Sequence, residues 1–178
     1  MREFGDSEDI IFRIMKNFEQ EDYESERFWA GNALQDEGNL NRFKATASMI
    51  PEDTGSVVDI GCGNGLFINY LKGIKPDLKF LGIDRSLTAL KYVTAEKMEG
   101  DIAAIPLTEQ SFDCVTCLEV IEHLPIEIFN AALVELARIA RKYIIVSVPY
   151  AEMREENYNQ CPQCKSIFNA DLHLRTLS

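Results

Sequence analysis

The stretch Val57–Phe67, reading V-V-D-I-G-C-G-N-G-L-F, decides the fold. Val57, Val58 and Ile60 form a short apolar β run, glycines follow at alternate positions (Gly61, Gly63, Gly65), and Leu66 opens an apolar helix-like segment. A buried strand that turns sharply on glycines into a helix sets backbone N–H groups and a helix N-terminus beside whatever lies over the turn. Glycine serves there because a Cβ would block close approach of a ligand and because some turn positions require φ > 0.

The spacing separates two ligand classes. A dinucleotide fingerprint, G-x-G-x-x-G, would put its third glycine at position 66, where Leu66 stands. The pattern here is D-x-G-x-G-x-G, with Asp59 two residues before the first glycine. That acid adds negative charge where a pyrophosphate already has it. It suits an ammonium or sulfonium ligand, drawn in by Coulomb attraction of about 1 kcal/mol at 4 Å in water and more where water is excluded. At these residues the chain resembles the class I S-adenosylmethionine (SAM)-dependent methyltransferases; the plain alternative is a glycine-rich turn in an ordinary α/β domain. The resemblance implies that Asp59, Gly61, Cys62, Gly63 and Gly65 line a SAM site, with Cys62 a small packing residue in the turn.

The 178 residues are about the length of one domain. Apolar and charged fractions of 46% and 26% are those of an ordinary globular protein. No stretch approaches the ~18 consecutive apolar residues of a membrane span. The polar, acidic start, Met1-Arg2-Glu3-Phe4-Gly5-Asp6, is not a secretory signal, so a cytoplasmic protein with no membrane partner is expected. The net charge of −11 argues against general binding to a nucleic-acid backbone, though it leaves room for a local basic patch. Five cysteines, at 62, 114, 117, 161 and 164, are an odd number and read as reduced thiols.

Residues 1–50 read as an N-terminal helical segment. Ile10, Ile11, Phe12, Ile14, Met15 and Phe18 give a helix-like stripe, and Phe28, Trp29, Leu34, Leu40, Phe43 and Met49 suggest further helices before Pro51. In the resembling family such a segment often caps the substrate side, which makes Tyr23 and Trp29 pocket residues; packing on the sheet edge is the alternative. Residues 51–150 read as a Rossmann-like core. Strands are expected over Val57–Ile60, Lys79–Ile83, Glu96–Glu99, Asp113–Leu118 and Tyr143–Val148. Helices are expected over Leu66–Ile74, Ser86–Tyr92 and Ile126–Arg141. Strands separated by helices predict an α/β fold with a doubly wound, mostly parallel sheet covered on both faces. Residues 151–178 form a tail, short for the helix and antiparallel strand pair with which the family's fold normally ends, so either the sheet is expected to be shortened there or the chain is a truncated form.

Strand Lys79–Ile83 runs into Asp84, about 20 residues past the last glycine. An acid at that place in a doubly wound fold accepts hydrogen bonds from ribose hydroxyls. The resemblance gives Asp84 this job, sets Arg85 beside the adenine, and has Asp101 accept from the adenine amino group with Ile102 packed on the ring. It also places Leu118 and Glu119 near the methionine part of SAM.

Leu118-Glu119-Val120-Ile121-Glu122-His123 leaves three readings open. Glu119, Glu122 and His123 lie three and four residues apart and make a candidate Mg²⁺ set, as similar E-x-x-E-H segments do in small-RNA 2′-O-methyltransferases and quinone-biosynthesis O-methyltransferases. Without a metal, His123 is a candidate general base, with Glu122 beside it. Third, the segment serves only SAM packing and helix capping. Cys114 and Cys117 sit inside one strand, where residues three apart face opposite ways, so they are core cysteines. Cys161-Pro162-Gln163-Cys164, with His173 following, is half a zinc site, a reduced thiol pair or a redox pair; His173 is alternatively a further ligand beside His123.

The expected function is SAM-dependent methyl transfer to an oxygen or nitrogen of a small-molecule acceptor. The alternatives are a metal-dependent RNA 2′-O-methyltransferase and a non-catalytic SAM-binding module.

Overall fold

The computed structural model describes residues 23–30, 37–149, 158–160, 165, 167–169 and 173–174. Two helices come first, α1 (Glu26–Trp29) and α2 (Glu37–Met49). The alternating core follows as β1 (Ser56–Ile60), α3 (Leu66–Ile74), β2 (Lys79–Asp84), α4 (Leu87–Leu90), β3 (Glu96–Glu99) and β4 (Phe112–Leu118). A single tight helical turn, Ile121–His123, leads to α5 (Ile126–Ile139) and β5 (Ala140–Ser147). A short antiparallel pair, β6 (Tyr158–Gln160) with β7 (Ile167–Asn169), closes the described chain.

β1 to β5 form one parallel sheet in the order β3-β2-β1-β4-β5. The chain winds outward from β1 to β3, returns to β4 beside β1, and winds the other way. That reversal opens a crevice at the carboxyl ends of β1 and β4, where ligands bind in open α/β sheets. The expected doubly wound α/β class is the observed one.

Both faces are covered because β1 and β4 are apolar on both sides. Val57 and Cys114 face a cluster with Phe43 of α2 and Phe67, Ile68 and Leu71 of α3. Val58, Ile60, Val115 and Cys117 face another with Leu136 and Ile139 of α5. Cys114 and Cys117 are both fully buried in opposite layers, as the period of two requires, so they cannot chelate together.

Several strand ends differ from expectation by one residue, and the larger departures lie in two helices and β5. The Ser86–Tyr92 helix is only Leu87–Leu90, capped by Ser86 Oγ, which accepts from Ala89 N–H at 3.1 Å. The helix expected to reach Arg141 stops at Ile139, and β5 begins at Ala140 with no intervening turn. β5 therefore starts three residues early. No helix among the described residues is long and apolar enough to cross a membrane.

Candidate functional site

A cavity of about 1290 Å³ opens over the carboxyl ends of β1, β2 and β4. Its walls include Asp59, Gly61, Cys62, Gly63, Asp84, Arg85, Asp101, Ile102, Leu118, Glu119 and His123. Of the expected cofactor residues, Gly65 does not line it; it is the left-handed residue that starts α3.

The turn needs its glycines. Gly61, Gly63 and Gly65 have φ of 72°, 52° and 76°, the left-handed region. A Cβ at Gly61 would come within 2.6 Å of Val120 Cγ2, and one at Gly63 within 2.8 Å of Trp29 Cζ3. Trp29 thus roofs the turn. Its indole N–H donates to Tyr23 O, its carbonyl accepts from Asn64 Nδ2, and Ser86 Oγ donates to Tyr23 O at 2.7 Å. Tyr23, Phe28 and Trp29 pack ring on ring, and Arg85 lies 5.2 Å from the Tyr23 ring centre. Both aromatics expected at the pocket, Tyr23 and Trp29, line it.

Asp84, 8% exposed, spans two loops: Gly63 N–H donates to Oδ2 and Ser86 N–H to Oδ1, each at 2.8 Å. Burial pushes its carboxyl above the usual range, against the pull of those N–H groups. Each oxygen keeps further acceptor capacity. Asp59 is buried deeper, and Thr116 Oγ1 donates to its Oδ1 at 2.6 Å because register places Thr116 opposite it. Burial raises its pKa to about 7, and the Asp84 charge adds to the rise. Burial also pushes the Cys62 thiol up, so it is an unreactive packing group. Asp101 is exposed at the end of the short β3 edge, with Ala103 N–H donating to its Oδ1. A cavity whose walls hold acids raised by burial favours a cation, which would keep them ionised. The glycine cradle and this charge both fit SAM.

Beyond β4 the groups separate. Glu119 has φ 55°, accepts from Ser147 Oγ at 2.6 Å and lies 3.0 Å from Arg42 Nη1. Glu122, His123 and His173 offer ligand atoms within 4.8 Å of one another. The imidazoles of His123 and His173 meet edge to face at 4.6 Å, and Leu174 N–H donates to Glu122 O. The structure therefore gathers Glu122 and His123 with His173, while Glu119 is committed elsewhere. Cys161 and Cys164, the other residues of the expected zinc set, lie outside the described residues.

Arg42, Asn39, Thr116 and Ser147 had no sequence signal. Arg42 and Asn39 look like an ordinary solvated helix face, and the roles of Thr116 and Ser147 exist only through strand register.

Residues 58–145 match a family described as methyltransferase domain. An uncharacterized protein of Methanocaldococcus jannaschii is 34% identical over 109 residues, covering 58% of this chain and 45% of that protein. The ubiquinone biosynthesis O-methyltransferase of Ralstonia nicotianae is 37% identical over 79 residues, 39% of this chain and 32% of that enzyme. A Mus musculus tRNA (carboxymethyluridine(34)-5-O)-methyltransferase is 34% identical over 112 residues, 60% of this chain and 16% of that enzyme. The chain thus spans less than half the length of these relatives. In structure, a Haloferax volcanii putative methyltransferase solved with the activator Trm112 superposes with a TM-score of 0.58 at 23% identity, over 71% of this chain and 61% of that one. That likeness speaks to the fold. With the glycine turn and the acids at successive strand ends, the match over residues 58–145 makes this chain a member of the class I SAM-dependent methyltransferases.

Proposed function

We propose that the protein transfers the methyl group of SAM to an oxygen or nitrogen atom of a small-molecule acceptor. One observation carries the reading: three successive strand ends bring the glycine turn, Asp84 and Asp101 to a single cavity. SAM, when bound, supplies an already electrophilic sulfonium methyl. The chain's own work is alignment and exclusion of water. Asp84 holds the ribose hydroxyls, Asp101 and Ile102 hold the adenine, and Asp59 supplies negative charge from the wall. The Tyr23–Phe28–Trp29 cluster keeps water from the turn. His123, half-buried in the cavity wall, takes the acceptor's proton, and the Glu122 carboxylate beside it stabilises the imidazolium.

The test incubates the protein with methyl-labelled SAM and a small-molecule extract. Label should pass to an acceptor, and His123→Ala should lower the rate by about 10²–10⁴-fold while affinity for S-adenosylhomocysteine stays within twofold. Retention of SAM with no labelled product would instead indicate a binding module.

A second reading, metal-dependent methylation of an RNA 2′-hydroxyl, is favoured by the Glu122–His123–His173 cluster and opposed by the net charge of −11. Two imidazoles and one carboxylate suit Mn²⁺, Co²⁺ or Zn²⁺ better than Mg²⁺, which prefers oxygen ligands. An ion there would lower the pKa of a bound hydroxyl. Zinc on Cys161 and Cys164 would compete for the same His173, so metal analysis of Glu122→Ala and Cys161→Ser separates the two sites. The RNA reading predicts labelling of a terminal ribose that is lost on chelation and in Glu122→Ala.

A further inference from the structure

The loop between β3 and β4 brings Asp101 and Ile102 to the cavity wall, yet its own strand gives it little support. β3 is the outermost strand of the parallel sheet, and all four of its residues are exposed. Asp101 is exposed as well. A loop leaving such an edge is ordinarily among the more mobile parts of a fold. Here its near end is closed. Gly100 N–H donates to Asp84 O at 3.1 Å, Ala104 N–H donates to Asp101 O at 3.0 Å, and a Cβ at Gly100 would come within 2.9 Å of Pro106 Cδ.

The far end is held from α5. Glu135 and Arg138, neighbours on one helix face, pair through both carboxylate oxygens: Arg138 Nε donates to Glu135 Oε1 and Nη2 to Oε2, each at 2.7 Å. The pair also grips the main chain of the loop. Arg138 Nη1 donates to Leu107 O at 2.6 Å and Nη2 to Ile105 O at 2.9 Å, while Ile105 N–H donates to Glu135 Oε2 at 2.7 Å. Further along, Gln110 N–H donates to Arg138 O at 2.8 Å. The Ile105 side chain is already buried in the cluster with Leu136 and Ile139, so the polar grip adds position and register to a contact that burial alone would leave free to slide. A planar guanidinium fork suits that task, since its donors are fixed relative to one another.

We propose that Glu135 and Arg138 are positioning residues that latch the 101–107 loop to α5, so that base selectivity in the cavity depends on a pair outside it. Neither residue lines the cavity, and their effect passes through the main chain of Ile105 and Leu107 to Asp101. A recognition group must be held to a fraction of an ångström by its supporting bonds to discriminate between ligands, and an exposed edge strand does not supply that precision. The proposal rests on the SAM reading, in which Asp101 faces the adenine amino group. A 6-oxo base would instead turn an acceptor toward the carboxylate.

Calorimetry with S-adenosylhomocysteine and its 6-oxo analogue, S-inosylhomocysteine, tests the latch. The unmodified protein should prefer the first by about 10- to 100-fold, the worth of a hydrogen bond to a charged group. In Arg138→Ala that preference should fall to about threefold or less as the loop loses its fork. Arg138→Lys, which keeps the charge but not the fork, should retain the fold and show an intermediate preference, with urea unfolding reporting separately on stability. A preference that survives undiminished in both variants, even with both affinities lowered together, would assign the pair to stability alone and overturn the latch. Equal affinity of the unmodified protein for the two probes would overturn it too and leave the SAM reading standing. Failure of the unmodified protein to bind either probe would remove the SAM reading and the latch together.

Discussion

The two ends of the parallel sheet treat their acids in opposite ways. At the amino end, Asp113 Oδ2 accepts from Gly55 N–H at 2.8 Å and Oδ1 from Arg141 Nη1 at 2.7 Å, which together hold its carboxyl below the ordinary range. Asp53 nearby is lowered by Lys142 and Tyr143. At the carboxyl end, Asp59 and Asp84 are pushed up by burial, and among the described residues no cation is paired with either in the manner of Arg141 with Asp113. The first arrangement stabilises the native chain. The second stores unfavourable charge where a cationic ligand would relieve it, a pattern typical of functional sites.

The sharpest way to break this contrast is at Asp59. Its folded pKa lies above the unfolded value, so its contribution to stability is complete below about pH 4 and is lost as pH rises to about 7. Asp59→Asn should remove that slope and stabilise the protein at pH 8 by on the order of 4 kcal/mol, the free-energy equivalent of the shift, while lowering affinity for SAM more than for the uncharged-sulfur product. Urea unfolding at pH 5 and pH 8 checks the stability arm, and a variant less stable at pH 8 would contradict it. Gly63→Ala should cost about 1–2 kcal/mol, from a left-handed alanine and displacement of Trp29; tryptophan fluorescence should shift with it, since Trp29 is the one tryptophan in the chain. Asp113→Asn should destabilise by about 1 kcal/mol at neutral pH. Its sign is opposite to that of Asp59: the lowered pKa gives stability present above the unfolded value and lost in acid. Smallest of all, Asp53→Asn should leave the urea midpoint unmoved, because the Asp53–Lys142 pair lies in solvent.

The sheet could be read from sequence because its buried strands are short apolar runs closed by Gly61, Asp84 and Glu119, and parallel strands covered on both faces leave that signature. Helix ends were harder. Nothing in Ile139-Ala140-Arg141 marks a stop, since no glycine or proline punctuates a helix that passes directly into a strand. The acids at the strand ends were legible as positions but not as environments. Asp59 differs from Asp101 through its burial in the central strand, beside a Thr116 hydroxyl that lies 57 residues away in the chain. Arg42 was invisible for a related reason: an arginine three residues after an asparagine on a helix of mixed polarity carries no mark of the cavity it enters. The approach of His173 to His123, fifty positions apart, was open in the sequence among other pairings, and only the folded chain places the two rings at 4.6 Å.

The central claim is that the carboxyl-edge cavity holds a sulfur nucleoside through Asp84. Calorimetry of S-adenosylhomocysteine with the unmodified protein and with Asp84→Ala tests it most directly. Saturable one-to-one binding, weakened by at least about 100-fold in the variant through loss of charge-assisted hydrogen bonds, is the predicted result. No binding to the unmodified protein, or equal binding to both, would contradict it.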